Sequence, residues 1–446
     1  MNSGNGPNHV EAFKGRIAMS DQSLSNPDRS RAARFLNDLV PQTDNPENAE
    51  FLRGLLLLGG ALFMLTLAAY ACTTNWTGPF PRDNVTLVLG RDFLNLWMYG
   101  RAVLDADPAR FYDVVTYNAE LAKLLGPGYV GQNWPNPPTA LVVMAPFGLL
   151  TYFPALTAWF AVSFLAFYLA GRREVSDARV LVVILVSPAA LLCVLSGQSS
   201  LLTTAALIAI FSCLDRRPAI AGVLIGLLTV KPQLGVLFPF ALIASGRWRV
   251  FLWAAMTAVA LFAISVAIGG PESWHDYIAK ALPLQREVLR DTAGTAVPFQ
   301  SSIFMSVRGL VGNRTGEMIQ LAFAVAAIAA VVAAFRYRKD GDARQLQTLF
   351  LACTASASPY LGSYDLLPLT FASVVLLAED KLDATGRRLA QLIFWVPALQ
   401  LLLGHLQIPG AGFVAPAFAA YLLHRLFAPA VPSHATAAAV GWSRIA

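Results

Sequence analysis

The chain predicts an all-α membrane protein, a polytopic helical bundle of about twelve transmembrane helices with two large loops on one side. Three observations carry this. Of 446 residues, 56% are hydrophobic and only 13% are charged, where a soluble domain carries about 25% charged residues. Apolar runs recur along almost the whole length, and the mean hydropathy is +0.54. Basic residues gather in alternate short loops, where the positive-inside rule gives them a meaning. The net charge of +6 resides in those loops and implies no nucleic-acid partner. The four cysteines, Cys72, Cys193, Cys213 and Cys353, form neither a CxxC pair nor a disulfide framework and read as buried structural thiols.

Taken in order, residues 1–49 are rich in Asn, Ser, Pro and Asp, with a basic stretch from Arg29 to Arg34, and read as a mostly disordered cytoplasmic tail. A cleavable signal peptide is not expected, because the first apolar run begins only near Phe51 and is long enough to span. Residues 50–428 form the membrane domain. After 51–72, apolar runs cover 154–171, 178–194, 199–214, 217–230, 232–245, 250–269, 316–335, 345–359, 361–378, 389–404 and 409–427. Several contain proline, which membrane helices tolerate when neighbours re-satisfy the backbone. Arg172, Arg173 and Arg179, then Arg216 and Arg217, Arg247 and Arg249, Arg336 to Lys339, and Arg387 and Arg388 fall on one side. That side is cytoplasmic, and both termini join it, including a second tail at 429–446. Counting 137–150 as a crossing would place Arg172 and Arg173 outside, so it reads as a re-entrant or surface helix, as does 299–311. Two large outer loops remain, about 73–153 and 270–315, the first with amphipathic stretches at 92–104 and 111–125. Both are too long to be mere connectors.

With this topology the polar groups outside the spans gather on the outer face. They are Asp92, the run Asn133-Trp134-Pro135-Asn136-Pro137-Pro138, Gln198, Lys231, Gln300 and the Tyr364-Asp365 pair. A solvent-exposed active site on a helical bundle has this pattern. Asp92 reads either as the N-cap of the first outer helix or as a catalytic base at the water–lipid boundary. Lys231 lies between two apolar segments in Val230-Lys231-Pro232-Gln233, and an ionisable group at membrane depth is a functional candidate by default, with a snorkelling lysine as the alternative. A lipid-borne phosphate suits such a charge, and Pro232 opens a helix whose first amides also favour an anion. Gln198 precedes a helix start, where an N-capping serine or a substrate hydrogen bond both fit. Asp365 enters an apolar span and pairs either with substrate or with a basic side chain such as Arg308. Asp105-Ala106-Asp107 resembles a metal-binding DxD, but Pro108 beside it makes a helix-ending turn the better reading. There is no GxxxxGK[ST] loop, no HExxH and no GxSxG, which argues against an ATP-driven pump, a zinc protease and a serine hydrolase.

These residues together resemble glycosyltransferase family 87, membrane enzymes of the GT-C superfamily that use polyprenyl-phosphate sugars in bacterial inner membranes. The blocks that carry the resemblance are Asp92-Phe93, Gly100-Arg101-Ala102, Phe111-Tyr112-Asp113, Trp134-Pro135-Asn136-Pro137-Pro138 and Pro146-Phe147-Gly148. Gly197-Gln198, the run from Ala221 to Leu227, Lys231-Pro232-Gln233 and Pro359-Tyr360 with Tyr364-Asp365 complete it. They run in order from about 51 to 380. The family's aromatic-Pro-Pro is interrupted here by Asn136, and the histidine some relatives carry late in the chain has no counterpart at 358–365.

The resemblance implies sugar transfer at the extracytoplasmic surface of the inner membrane, with Asp92 as general base. The reading that follows is an inverting enzyme that moves mannose or a related hexose from a polyprenyl-phosphate carrier to a lipid, glycan or glycolipid hydroxyl. Lys231 and Arg308 are expected to bind the donor phosphate. Trp97, Tyr99 and Trp134 are expected to stack on sugar or prenyl groups, and Asn136, Gln198, Gln300, Tyr360, Tyr364 and Asp365 to contact substrate. No cofactor and no metal are expected, because the lipid phosphate is already a good leaving group. The rival readings are a transporter or flippase of lipid-linked sugars, which predicts repeated halves and polar groups at the midplane, and a pentosyltransferase of the same architecture. The chain has no visible internal repeat.

Overall fold

The computed structural model describes residues 38–428 apart from 127, 292–296, 339–340, 407 and 409. The tail expected at 429–446 and most of that at 1–49 therefore lie outside the described residues. Those residues are helical, with isolated bridges such as Gln300–Gly362 and no β-strand among them.

Every apolar run coincides with helix. The chain enters through α1 (Pro46–Thr73), which starts where the Asn45 side chain accepts a hydrogen bond from the Glu47 amide and Pro46 presets the first turn. The outer segment folds as α2 (Phe93–Ala102), a 3-10 turn at Pro108–Tyr112, α3 (Val114–Leu125) and α4 (Thr139–Gly148). There follow α5 (Tyr152–Glu174), α6 (Arg179–Leu185), α7 (Pro188–Ser196), α8 (Ser200–Cys213), α9 (Pro218–Leu227) and α10 (Phe238–Ser245). Next are α11 (Trp248–Asp276), α12 (Leu282–Arg290), α13 (Ile303–Val311), α14 (Asn313–Tyr337), α15 (Ala343–Ala357), α16 (Leu367–Ala378), α17 (Ala384–His405) and α18 (Val414–Phe427).

Among the described residues, four helices have the length and apolarity to cross a membrane: α1, α5, the 43-residue Trp248–Arg290 helix that joins α11 to α12, and α14. Between 11% and 28% of each apolar window is buried inside the protein. Leu58, Leu65, Met256, Val259 and Leu321 instead stand exposed, which suits hydrocarbon and not water. Other apolar runs are shorter or bent. α6 and α7 meet at 62°, and α4 and α13, ten and nine residues long, reach only about 15 Å. The Trp248–Asp276 helix kinks at Gly270 (φ 72°, ψ 164°), followed by Pro271.

Two hydrophobic cores result. The larger joins α1 with α6 to α10 and α14 to α18, around Leu55, Ile184, Phe238, Phe350 and Phe394. The smaller is aromatic and packs the outer segment, with Phe93, Tyr99, Phe111, Tyr117 and Trp134, against Trp159 of α5. α2 and α4 cross it at Gly100 and Gly148, where a Cβ on Gly148 would stand 1.9 Å from the Gly100 carbonyl carbon, so only glycine permits the contact.

The same helices carry different chemistry at their two ends. At one end Arg344 pairs with Glu174 and Glu379, Arg247 with Asp215, and Lys381 with Asp342. The last residues of the N-terminal tail are held there, Thr43 and Asn48 donating to Asp380 and the Gln42 amide to Asp177. At the other end of α5, α8, α15 and α16 lie Tyr152, Ser200, Ser358 and Asp365. Three breaks in the helices fall there: Gly197-Gln198, Val230-Lys231 and Gly362 to Asp365. Irregular backbone at membrane depth is stable only where it lines a cavity or is buried in protein. The thiols are free: Cys193 and Cys353 are buried, but Cys72 is exposed on α1, so the expectation of four buried cysteines holds only in part.

Candidate active site

A cleft of about 390 Å³ opens along the seam between the two cores. From the outer segment it receives Asp92, Asn95 and the Asn133 to Pro137 run, and from the bundle Gln198, Lys231, Tyr360, Tyr364 and Asp365. Residues as far apart in sequence as Asp92 and Asp365 thus meet at the three helix breaks.

Asp92 occupies the N-cap position of α2, but its side chain makes no capping bond. Its carboxylate instead accepts a 2.8 Å hydrogen bond from Gln198 Nε2. The backbone before it is bent through two left-handed residues, Gly90 (φ 90°) and Arg91 (φ 37°), an uncommon conformation for arginine. Arg91 turns away to pair with Asp83 at 2.7 Å, and the Asp92 amide donates to the Ser196 carbonyl at 3.0 Å. Gly197 makes this docking possible. It ends α7 at φ 63°, and a Cβ there would lie 2.5 Å from the Gly90 oxygen and 2.7 Å from Phe93 Cβ. Burial pushes the Asp92 carboxyl above the ordinary range, against the lowering influence of the Gln198 bond and of the Arg91 and Lys231 charges.

Lys231 terminates the 3-10 turn after α9 and immediately precedes Pro232. Its ammonium donates to Asp365 Oδ1 at 2.8 Å and to Gln198 Oε1 at 3.1 Å, and stands 5.2 Å from the centre of the Tyr364 ring. Asp365, its side chain 1% exposed, also accepts from Ser200 Oγ at 3.0 Å. The partner of Asp365 is therefore Lys231, not Arg308. A continuous chain of hydrogen bonds runs Asp92–Gln198–Lys231–Asp365–Ser200. Lys231 pairs directly with Asp365 and reaches Asp92 only through Gln198, so Asp92 has no ion pair among the described residues.

Several residues expected at the site are placed elsewhere. Arg308 is buried in α13, and its guanidinium donates to the Leu289 carbonyl and, at 3.0 Å, to that of Asp291. It pins the end of α12 and does not line the cleft. Trp97 faces the outer core, its indole donating to the Leu150 carbonyl at 3.0 Å and its ring edge-on to Tyr152. Trp134 is stacked on Phe111 at 4.8 Å and is 4% exposed, so it shapes the Asn133 to Pro137 run from behind. Tyr99 supports the same run: its hydroxyl donates to the Asn136 carbonyl at 2.7 Å and accepts from the Asn136 amide. Gln300 is buried and bridges Gly362, so it holds the loop that carries Tyr364 and does not reach the cleft. Asp105 accepts from the Asp107 amide and pairs with Arg110 at 2.7 Å, as a turn requires. Among the described residues no group of three His, Cys, Asp or Glu is placed to hold a metal ion.

Two features were not anticipated. Ser200, in the helix start that follows Gln198, is a partner of Asp365. An apolar groove of about 400 Å³ runs beside the cleft and shares Leu282, Gln285, Pro359 and Tyr360 with it. Leu289, Phe304, Leu321 and Ala324 line it, and Leu321 is 64% exposed on the outer face of α14. At its rim Arg286 and Arg290 both pair with Glu317, at 2.7 and 2.6 Å, leaving one net positive charge. The helical spacing of Gln285, Arg286 and Arg290 against Leu282 and Leu289 was the signal available in the sequence.

No curated protein and no solved structure matches the chain at a significant level. The model of Glycosyltransferase family 87 matches residues 134–359, just over half of the chain. The matched segment contains Asn136, Gln198 and Lys231, whereas Asp92 precedes it and Tyr360, Tyr364 and Asp365 follow it. The chain, an all-helical protein with several membrane-length helices and a polar cleft at their broken ends, belongs to glycosyltransferase family 87.

Proposed function

We propose that this membrane glycosyltransferase moves a sugar, mannose or a related hexose, from a polyprenyl-phosphate carrier to an acceptor hydroxyl on the extracytoplasmic side of the bacterial inner membrane. The observation that carries the reading is Asp92: a half-buried carboxylate in a polar cleft, hydrogen-bonded by a neutral amide and free of any ion pair among the described residues. A carboxylate whose proton affinity is raised by burial is suited to take a proton near neutral pH. As the acceptor oxygen attacks the anomeric carbon, Asp92 removes its proton. The new C–O bond forms while the bond from that carbon to the phosphate oxygen breaks, and the electron pair leaves with the lipid phosphate. Attack opposite the leaving group inverts the anomeric centre. Because the phosphate departs without protonation, a second carboxylic acid is not needed, unlike in glycoside hydrolysis.

Lys231 has three donor hydrogens, and Asp365 and Gln198 take two. The third is available to the phosphate oxygens, where charge develops as the bond breaks. A lipid-borne donor is supported by the adjoining groove, which offers hydrocarbon contacts along its length and a net positive rim, and by its continuity with the cleft. Both termini and the basic loops belong to the cytoplasmic side in this reading, with about twelve crossings once the bent and shorter helices are counted.

The test is transfer of labelled sugar from polyprenyl-phosphate mannose into native membranes, comparing wild type with Asp92→Asn at matched expression. Loss of general-base catalysis lowers the rate by about 100-fold or more. Equal transfer by both would remove Asp92 from the mechanism.

A further inference from the structure

Among the described residues, Gln198 is the side chain that hydrogen-bonds both to the candidate base and to the buried ion pair. An amide has one acceptor end and one donor end, and its neighbours decide which way it points. The Lys231 ammonium can only donate, so Gln198 Oε1 faces it at 3.1 Å. The NH2 end must then face Asp92 Oδ2 at 2.8 Å and the Tyr364 hydroxyl at 3.2 Å. Lys231 is in turn fixed by Asp365, and Asp365 by Ser200. The main chain of Gln198 is held as well: its carbonyl accepts from Cys193 Sγ, and the Gly197 carbonyl accepts from the Trp159 indole at 3.1 Å. An amide anchored on both sides this way cannot flip without breaking the contacts of a buried charge.

We infer that Gln198 is a positioning residue that ties the orientation of the Asp92 carboxylate to the Lys231–Asp365 pair. The inference rests on the reading of Asp92 as base. One Asp92 oxygen is held by the amide donor, leaving the other for the acceptor hydroxyl. The same bond stabilises the ionised carboxylate against the cost of burial, because a donor to a charged acceptor favours the charged form. Other groups around Asp92 act in parallel. Arg91, paired with Asp83, and Lys231 favour ionisation, whereas Asp365 opposes it. Tyr129, Tyr152, Tyr360 and Tyr364 lie close enough to the carboxylate to interact with it electrostatically. Tyr364 also stands beside Lys231, but no side chain among the described residues other than Gln198 hydrogen-bonds to both Asp92 and Lys231.

The experiment measures, in purified full-length protein, the pH at which the Asp92 carboxyl titrates, from infrared difference spectra between each protein and its Asp92→Asn counterpart. Wild type, Gln198→Leu and the nearly isosteric Gln198→Glu are compared, with the pH profile of sugar transfer recorded for each. Removing the donor in Gln198→Leu is expected to raise the titration point by about one pH unit, and Gln198→Glu by more. The acidic limb of the rate profile should move with it, while the donor KM changes less than about threefold. Activity that falls equally at all pH values, with the carboxyl titration unmoved, would overturn the inference and leave Gln198 as part of the cleft wall. A wild type that transfers no sugar, yet whose carboxyl titration shifts in both variants, would sink the proposed reaction and support the coupling.

Discussion

At the scale of single residues, the cleft depends on one ammonium that serves two purposes. Lys231 neutralises Asp365, whose side chain is 1% exposed, and it orients Gln198. Replacing it by methionine leaves Asp365 buried without a counter-charge, a change that costs about 3–5 kcal/mol when one partner of a buried pair is removed. The double variant Lys231→Met with Asp365→Asn removes both charges and should recover most of that loss. Thermal unfolding in detergent reads the stability, and sugar transfer reads the function. Stability should return in the double variant while transfer stays low, because the phosphate-facing charge is still missing. Return of both would reduce Lys231 to a structural lysine, the alternative that its sequence context left open. Polar residues that interrupt apolar runs were legible as site candidates because their desolvation has no other ready explanation. Their partners were not legible, since pairing depends on which of several distant segments faces them. Arg308 illustrates this: the sequence offers a cation of the right sign in the right loop, and the fold spends it on two carbonyls at the end of α12.

At the scale of elements, the site exists because helices stop early. α7 ends at a left-handed glycine, α9 tightens into a 3-10 turn before Lys231-Pro232, and α16 is preceded by the 3-10 turn Ser363–Leu366. Each break frees polar backbone groups that a lipid-facing helix could not leave bare. Gly197→Ala tests the first break. A methyl group there meets the Gly90 carbonyl at 2.5 Å, and the residue must also hold φ 63°. The strained backbone alone costs of order 1–3 kcal/mol, and the contact should push Asp92 away from Gln198. Lower thermal stability together with a loss of transfer larger than the loss of folded protein is the expected result; unchanged transfer would mean the two turns can separate without harm. The helices themselves were largely legible, because apolar run length is a local property that survives folding. The facing of aromatic side chains was not. Trp97 and Trp134 lie at promising positions in the chain, yet the outer segment needs a core of its own and uses them to build it.

At the scale of the whole molecule, the two ends of the bundle carry opposite kinds of charge chemistry. One end holds the short basic loops, with Arg247–Asp215, Arg344–Glu174 and Lys381–Asp342 pairs knitting neighbouring helices together. The other holds a buried network of two carboxylates and one ammonium around Lys231, and a cleft that faces the outer segment. A membrane enforces such a division, since lysine and arginine are retained on the cytoplasmic side during insertion. The proposed reaction needs this orientation, because donor and acceptor meet at whichever surface the cleft opens on. Single cysteines placed in a cysteine-free background decide it, at Leu104, 71% exposed beyond α2, and at Tyr337, 72% exposed at the basic end of α14. In intact spheroplasts a membrane-impermeant maleimide should label position 104, and should reach position 337 only after permeabilisation. The opposite pattern would put Asp92 in the cytoplasm, where the basic loops argue it does not belong, and the extracytoplasmic reaction would have to be abandoned even if sugar transfer itself were observed.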